Sequence, residues 1–148
     1  EKKCACVALQ SEQHQKANEM IKNNALLLNY MVKNELKFSG KPILTVKQWN
    51  FEKSEITFDF CFPLQSQQAT YPEHPEIFIK TIAKQKALKT DFHGNYRISD
   101  HAWYTILDYA KQRNIDLDYK PLEIFFNDPH SGSNELDWKA EIYIPIKS

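Results

Sequence analysis

The order strand, helix, strand, strand occurs twice along the 148 residues, and this repetition is the strongest constraint on the fold. In the first half, the alternating segment "KKCACVALQ" precedes apolar residues that recur from Ala17 to Met31 in steps of three and four, a helix period. Two strand-like segments follow, "KPILTVKQW" and "EITFDFCFPL". The second half repeats this order after a polar, proline-rich stretch. We therefore expect one domain with two units, at about 1–65 and 76–148, joined by a linker at about 66–75.

Landmarks of the two units correspond. The second unit opens with "IFIKTIAKQKAL", turns at Gly94, where a positive φ or close packing is expected, and ends with "KPLEIFFNDP" and "WKAEIYIPI". Its Lys120-Pro121 matches Lys41-Pro42, and Ser11 and Ser99 are the expected N-caps of the two helices. The predicted fold class is α+β: duplicated β-α-β-β units form a curved antiparallel sheet with both helices on one face. A ligand cleft is expected at the pseudo-twofold axis, on the face opposite the helices.

The charge balance limits the classes of partner. Nineteen basic and nineteen acidic residues give a formal net charge of zero, whereas nucleic-acid binders normally present a basic face. Direct binding of nucleic acid or of a membrane by this chain is therefore not expected, and no apolar run approaches the roughly 20 residues of a membrane-spanning helix. The sequence predicts a cytoplasmic protein. Because it begins with Glu1, a removed export signal or anchor, or a further N-terminal domain, stays open.

The cysteines and histidines give no metal-binding pattern. Cys4, Cys6 and Cys61 include no Cys-x-x-Cys pair, and the five histidines do not cluster at ligand spacing. We therefore predict no disulfide framework and no metal site, and we expect Cys4 and Cys6 to be small buried apolar groups on one strand face. No phosphate-binding glycine loop and no nucleophile motif is present, so no cofactor is expected.

The segment "KPLEIFFNDP" contains an isolated carboxylate in an apolar strand. If Leu122 and Ile124 face the helices, Glu123 and Phe125 face the opposite side of the sheet. The repeat places Leu44 at the position of Glu123, so a groove there would hold one carboxylate on an apolar floor. Spacing alone favours a solvated glutamate on an exposed face. The alternative is a charged group that meets a cation in an aromatic groove.

Three segments together resemble a known family: "AKQKALKTDFHGNYRISDHAW", "KPLEIFFNDP" and "WKAEIYIPIK". The family is that of the GyrI-like effector-binding domains, which include the ligand-binding domains of AraC- and MerR-type multidrug-responsive transcription regulators. The resemblance is strongest over residues 77–147 and extends to the first half through the repeat. It implies that Glu123 lies in the ligand cleft and meets cationic, aromatic ligands. Phe125 stands where the family often has tyrosine, which removes a hydroxyl.

Several rings are candidate walls of the cleft, each with a place in the core as the alternative. The candidate ligand-binding residues beside Glu123 are Phe125, Tyr96, Trp138, Tyr143, Tyr30, Trp49 and Leu44. Trp103 has core spacing and is expected in the core. Glu141 near Glu123 would make a coupled carboxylate pair, although a solvated or salt-bridged Glu141 is favoured. The polar stretch 131–137 is expected to overhang the mouth of the cleft.

Two functions follow from these residues. The first is binding of small amphipathic, cationic or aromatic molecules with Glu123 as charged anchor, by a stand-alone protein or by the sensor part of a larger regulator. The second is hydrolysis of small molecules with Glu123 as general acid or base. No second catalytic group is signalled, so binding is favoured. A protein-interaction module receives no support from the charge balance.

Overall fold

The period-two and helical segments form seven strands and two helices in the computed structural model, which describes residues 2–65, 68, 70–127, 136 and 138–147. No helix of this described part is long and apolar enough to cross a membrane. In chain order the elements are β1 (Lys2–Glu12), α1 (Lys16–Lys33), β2 (Ile43–Asn50), β3 (Glu55–Pro63), β4 (Ile77–Ile82), β5 (Ala87–His93), α2 (His101–Gln112), β6 (Leu122–Phe125) and β7 (Lys139–Pro145).

The strands form one antiparallel sheet in the order β4-β1-β3-β2-β6-β7-β5. The order β-α-β-β occurs as β1, α1, β2, β3 and again as β5, α2, β6, β7, with β4 between. The two sets meet where β2 pairs with β6, and Leu44 lies directly opposite Glu123 there. The predicted α+β class with an antiparallel sheet is confirmed.

The segment "IFIKTIAKQKAL" is two strands rather than one. β4 pairs with β1 at one edge of the sheet, and β5 pairs with β7 at the other edge. Residues 83–86 join them, and two of these four residues are lysines. Apolar and polar residues alternate in both strands, so this pattern alone did not indicate that the segment passes from one edge of the sheet to the other.

The short connection between β4 and β5 requires the sheet to curl. Five residue steps from Ile82 to Ala87 span at most about 18 Å. The edge strands of a flat seven-stranded sheet would lie about 29 Å apart, since neighbouring strands are about 4.8 Å apart. The curl also explains why Cys4, Cys6 and Cys61 are completely buried although they lie on the face without helices.

Both helices pack on one face of the sheet, as predicted, but the side assigned to β6 is wrong. Glu123 and Phe125 face the helices, and Leu122 and Ile124 pack with the cysteines on the other face. Because the curl also partly buries Leu122 and Ile124 on the other face, the more apolar set of alternate residues did not identify the helix side. The expected cleft on the helix-free face is therefore absent from the described residues, where that face holds the cluster around Cys4.

The helices begin at other residues than predicted. Ser11 lies within β1, and a 3₁₀ turn at Gln13–Gln15 precedes α1. Asp100 is the N-cap residue of α2, while Ser99 ends the 3₁₀ turn Tyr96–Ile98. These turns place two polar side chains, Lys16 and Ser99, in the interior between the helices and the sheet.

The cysteines give a second correction. Cys6 of β1 lies opposite Cys61 of β3, and the two form a disulfide. Cys4 is a free, buried thiol, as predicted, and burial raises its pKa to about 11. The disulfide was not predicted because 55 residues separate its cysteines, and only the strand register makes them neighbours.

Candidate functional site

A cavity of about 760 Å³ lies between α1 and the sheet. This volume is within the usual range for pockets that hold small molecules. α1 contributes five side chains from one helix face to its wall: Ala17, Met20, Ile21, Asn24 and Leu28. Both halves of the chain line the cavity, but it lies on the helix face of the sheet and not on the opposite face.

Aromatic rings form the rest of the wall. The rings that line the cavity are Phe38, Phe60, Phe62, Tyr96, Phe125, Phe126 and Trp138. The ring centroid of Tyr96 lies 4.8 Å from that of Phe125 and 5.4 Å from that of Trp138. Phe62 lies 5.0 Å from Phe38 and 5.5 Å from Phe60. Such a surface favours flat, apolar ligands, because ring contacts add to the free energy of apolar burial.

The turn before Tyr96 fixes the position of its ring. Gly94 has a φ of 132°, as expected for this turn glycine, and its amide donates to Trp138 O at 3.0 Å. The Tyr96 hydroxyl donates to Lys139 O at 2.7 Å and accepts from the Asn127 amide at 3.1 Å. Burial raises the pKa of Tyr96, so its hydroxyl stays protonated at neutral pH and keeps its donor role. The ring is therefore a rigid part of the wall.

Polar side chains reach the cavity at its rim. Lys41, Asn95, Arg97 and Asn127 line it, and both Lys41 and Arg97 are exposed. Neither cation forms an ion pair with another described residue. The stretch predicted to overhang the mouth lies outside the described residues, except for Leu136.

Glu123 lies behind this wall and is fully paired. Its side chain has no exposed surface, and its Oε1 lies 3.2 Å from Lys16 Nζ, which is also completely buried. Ser99 Oγ donates to the same oxygen at 2.7 Å, and Trp103 Nε1 donates to Oε2 at 2.7 Å. The expectation of a carboxylate open to the cleft is therefore wrong, because the chain supplies its own cation and donors.

The ammonium of Lys16 is equally satisfied. It donates to Tyr96 O at 2.8 Å, to Ser99 Oγ and to Glu123 Oε1. A buried ion pair is tolerable only when every remaining donor and acceptor has a partner. The pair therefore ties the first residue of α1 to β6 and to the turn before α2.

The structure separates the eight candidate residues. Tyr96, Phe125 and Trp138 line the cavity together. The other five do not line it. Glu123 is behind the wall, Leu44 is in the core beside Glu123, and Tyr143 is on the other face of the sheet. The hydroxyl of Tyr30 donates to Pro72 O at 2.7 Å, and the indole of Trp49 donates to Gln13 Oε1 at 2.9 Å. Trp103 is in the core, as predicted.

The proposed carboxylate pair does not form. Glu141 lies opposite Ile124, on the face away from Glu123. Its Oε1 accepts from the Tyr143 hydroxyl at 2.9 Å, and its Oε2 lies 3.2 Å from Lys89 Nζ. Glu141 is thus the salt-bridged residue that was the favoured interpretation. Among the residues that the structure describes, no group of three or more His, Cys, Asp or Glu side chains could hold a metal ion.

Sequence reasoning missed the contribution of α1. The helical stripe that includes Met20, Ile21 and Leu28 was used only to predict a helix and was not among the candidate ligand-binding residues, yet it lines the cavity. Asn24 within this stripe was the available signal, since a core-facing helix stripe rarely carries an amide. Ile21, which is 40% exposed, supports the same conclusion.

The chain matches the family model of the GyrI-like small molecule binding domain over residues 7–147. Among curated protein sequences, none matches it significantly. The EcmrR C-terminal domain has a similar structure, with a TM-score of 0.80 at 12% identity, over 100% of this chain and 94% of that one.

Two further solved structures are informative. The EcmrR chain in a complex with DNA gives a TM-score of 0.79 at 13% identity, over 99% of this chain and 54% of that one. The present chain thus spans about half of that protein's length. A hydrolase from Listeria innocua gives a TM-score of 0.55 at 10% identity, over 99% of this chain and 88% of that one. At these identities the likenesses show the fold alone.

Proposed function

Because the chain belongs to the GyrI-like small molecule binding domain family, we propose that its cavity binds small amphipathic molecules that contain aromatic rings. The observation that carries this proposal is the cavity of about 760 Å³, walled by seven rings and an apolar helix face, with polar side chains at the rim. The rings hold the apolar body of the ligand, and the rim hydrates or hydrogen-bonds its polar end. Tyr96, Phe125 and Trp138 are the proposed walls from the second half.

The biological role proposed here is that of a sensor. The chain acts as a stand-alone binding protein or as the effector-binding part of a larger regulator. The second possibility is supported by its correspondence to about half of the EcmrR chain seen with DNA. Flat apolar walls make few directional contacts, so several different aromatic molecules should compete for the same space.

The geometry supports aromatic contacts, rather than Glu123, as the main anchor. Both Glu123 oxygens already accept hydrogen bonds, and the carboxylate has no exposed surface. Because Glu123 is the general acid or base of the hydrolase alternative, the same facts leave that alternative without its catalytic group, and we do not propose it.

Titration with the uncharged fluorescent dye N-phenyl-1-naphthylamine tests this function. Asn24→Trp should fill the cavity, whereas Ala25→Trp places the same ring on the exposed side of α1. Saturable fluorescence is expected for the wild type and Ala25→Trp, with affinity lowered at least about tenfold in Asn24→Trp. Equal affinities for the two variants would contradict binding in this cavity.

A further inference from the structure

Lys16 acts as an internal cation beside the cavity. Its ammonium contacts Glu123 Oε1 at 3.2 Å and Tyr96 O at 2.8 Å, without any exposed surface. It also lies 6.0 Å from the ring centroid of Phe125. A carboxylate, a carbonyl and an aromatic face are three groups that would bind the ammonium of a ligand in such a site.

The ion pair is separated from the cavity by a single layer of residues. Ala17, which follows Lys16, lines the cavity, and so do Tyr96 and Phe125, which Lys16 contacts. A ligand in the cavity is therefore one layer of side chains away from a carboxylate whose cation position is already occupied by the ammonium of Lys16. A cationic ligand could reach Glu123 only by displacing Lys16, which would leave one buried ammonium without its partner.

The rim has the same sign of charge. Among the described lining residues, the charged ones are Lys41 and Arg97. A ligand with a positive end would approach these two cations, neither of which forms an ion pair with another described residue, whereas a carboxylate would find two partners for charge-assisted hydrogen bonds.

We propose that Lys16 determines the specificity of this cavity by occupying the cation position at Glu123, so that the cavity selects aromatic molecules with an anionic or uncharged polar end. This inference rests on the proposed binding function and narrows its ligand class. It also predicts a gain of affinity for cations on mutation, because removal of Lys16 creates a cation site that the wild-type protein does not offer.

Displacement of N-phenyl-1-naphthylamine by three ligands of matched shape tests the claim at neutral pH. The ligands are 4-phenylbutanoate, 4-phenylbutanol and 4-phenylbutylamine, whose four-methylene ammonium chain copies the lysine side chain. In the wild type, the amine should compete at least about tenfold less well than the carboxylate. In Lys16→Ala, the amine should become the best of the three, because its ammonium replaces the deleted one.

Two controls separate this effect from a general loosening of the fold. Lys22→Ala removes an exposed cation from the same helix and should keep the wild-type order. Lys16→Ala combined with Glu123→Gln removes both charges, so it avoids an unpaired buried carboxylate and should show no gain for the amine over the alcohol.

The outcomes are distinct. Failure of the dye to bind the wild type overturns the proposed function, and this inference with it. Dye binding with an amine that matches or exceeds the carboxylate in the wild type overturns only the role of Lys16. A Lys16→Ala protein that binds dye and alcohol without a gain for the amine overturns it too. If the Lys16→Ala protein does not fold, the relative affinities of the wild type for the amine and the carboxylate decide whether the inference holds.

Discussion

The indole of Trp103 donates a hydrogen bond of 2.7 Å to Glu123 Oε2, although 20 residues separate the two in sequence. Trp103 is on the buried side of α2 and has no exposed surface. Its ring therefore has two roles: it fills the core between α2 and the sheet, and its N–H satisfies a buried carboxylate oxygen.

Replacing Trp103 by Phe should lower the free energy of unfolding by about 1–3 kcal/mol, because it leaves a buried acceptor without its donor. Tyr109→Phe is the matched control, since Tyr109 is on the same helix but exposed. Its effect should stay within about 0.5 kcal/mol. Urea denaturation of both variants measures the difference, and equal effects would show that the indole N–H does not contribute.

Asp59 holds two lysines that differ in burial. Lys80 Nζ donates to Asp59 Oδ2 at 2.8 Å and to Thr45 Oγ1 at 2.5 Å, while Lys47 Nζ lies 2.9 Å from Oδ1 without hydrogen-bond alignment. We expect Lys80→Met to lower the free energy of unfolding by about 1–3 kcal/mol.

Lys47→Met should lower it by less than about 1 kcal/mol, because that side chain is 44% exposed. Hydrogen exchange in β4 should increase only in Lys80→Met. A larger effect of Lys47→Met would contradict the interpretation that Lys80, rather than Lys47, anchors the edge strand β4 to β3 through Asp59.

Thiol counting tests the pairing of the cysteines. Unfolded without reductant, the protein should bind one equivalent of iodoacetamide at Cys4, and after reduction three. The folded protein should resist the reagent at mildly alkaline pH, because burial raises the pKa of Cys4 to about 11. Two or more reactive thiols without reductant would contradict the Cys6–Cys61 bond. Since disulfides persist mainly in oxidising compartments, the same count on protein taken from cells distinguishes the cytoplasmic prediction from export.

Removal of the disulfide should also lower the free energy of unfolding. It closes a loop of 55 residues, for which the chain-entropy relation gives about 4 kcal/mol. Replacing both Cys6 and Cys61 by alanine should reduce the free energy of unfolding by up to this amount. Cys4→Ala removes one buried sulfur without opening a loop and should cost clearly less. Denaturant midpoints of the two variants provide the comparison.

The stability near pH 4 should depend on Glu141. Burial alone would raise the pKa of Glu141, but hydrogen bonds from Tyr143 and Lys89 outweigh it, so that pKa lies below the ordinary value of 4.5. A lowered pKa in the folded state stabilises the protein above pH 4.5, and this contribution is lost as the pH falls through the folded value. Glu141→Gln should therefore flatten the acid limb of a melting-temperature profile, and Tyr143→Phe should give an intermediate slope. An unchanged limb in Glu141→Gln would refute this account.

Local patterns predicted the elements of the fold because the patterns arise locally. The alternation around Phe58 and Phe60 and the helical spacing around Leu27 and Met31 each need only neighbouring residues, and all four are buried. The repeat of these patterns then supplied the α+β class, and the family resemblance agreed with it and named Tyr96 among the candidate walls of a ligand cleft. Which face of a strand points towards the helices depends on the whole sheet, so these local patterns could not predict it.

What the sequence did not predict depends on partners distant along the chain. The carboxylate of Glu123 meets an ammonium 107 residues away, so no local pattern distinguished a solvated from a paired glutamate. Cys6 and Cys61 become neighbours only through strand register. The assignment of Leu122 and Ile124 to the helix face failed because these side chains pack with the cysteines on the other face, which the curl of the sheet partly buries.

The four-residue connection at 83–86 has a mechanical consequence. The two halves of the sheet touch at the β2–β6 seam, where three residue pairs align, and the connection joins their far edges. Separating the halves at the seam would have to stretch this segment, whose five residue steps reach at most about 18 Å. The molecule therefore resists opening as a hinged clamshell.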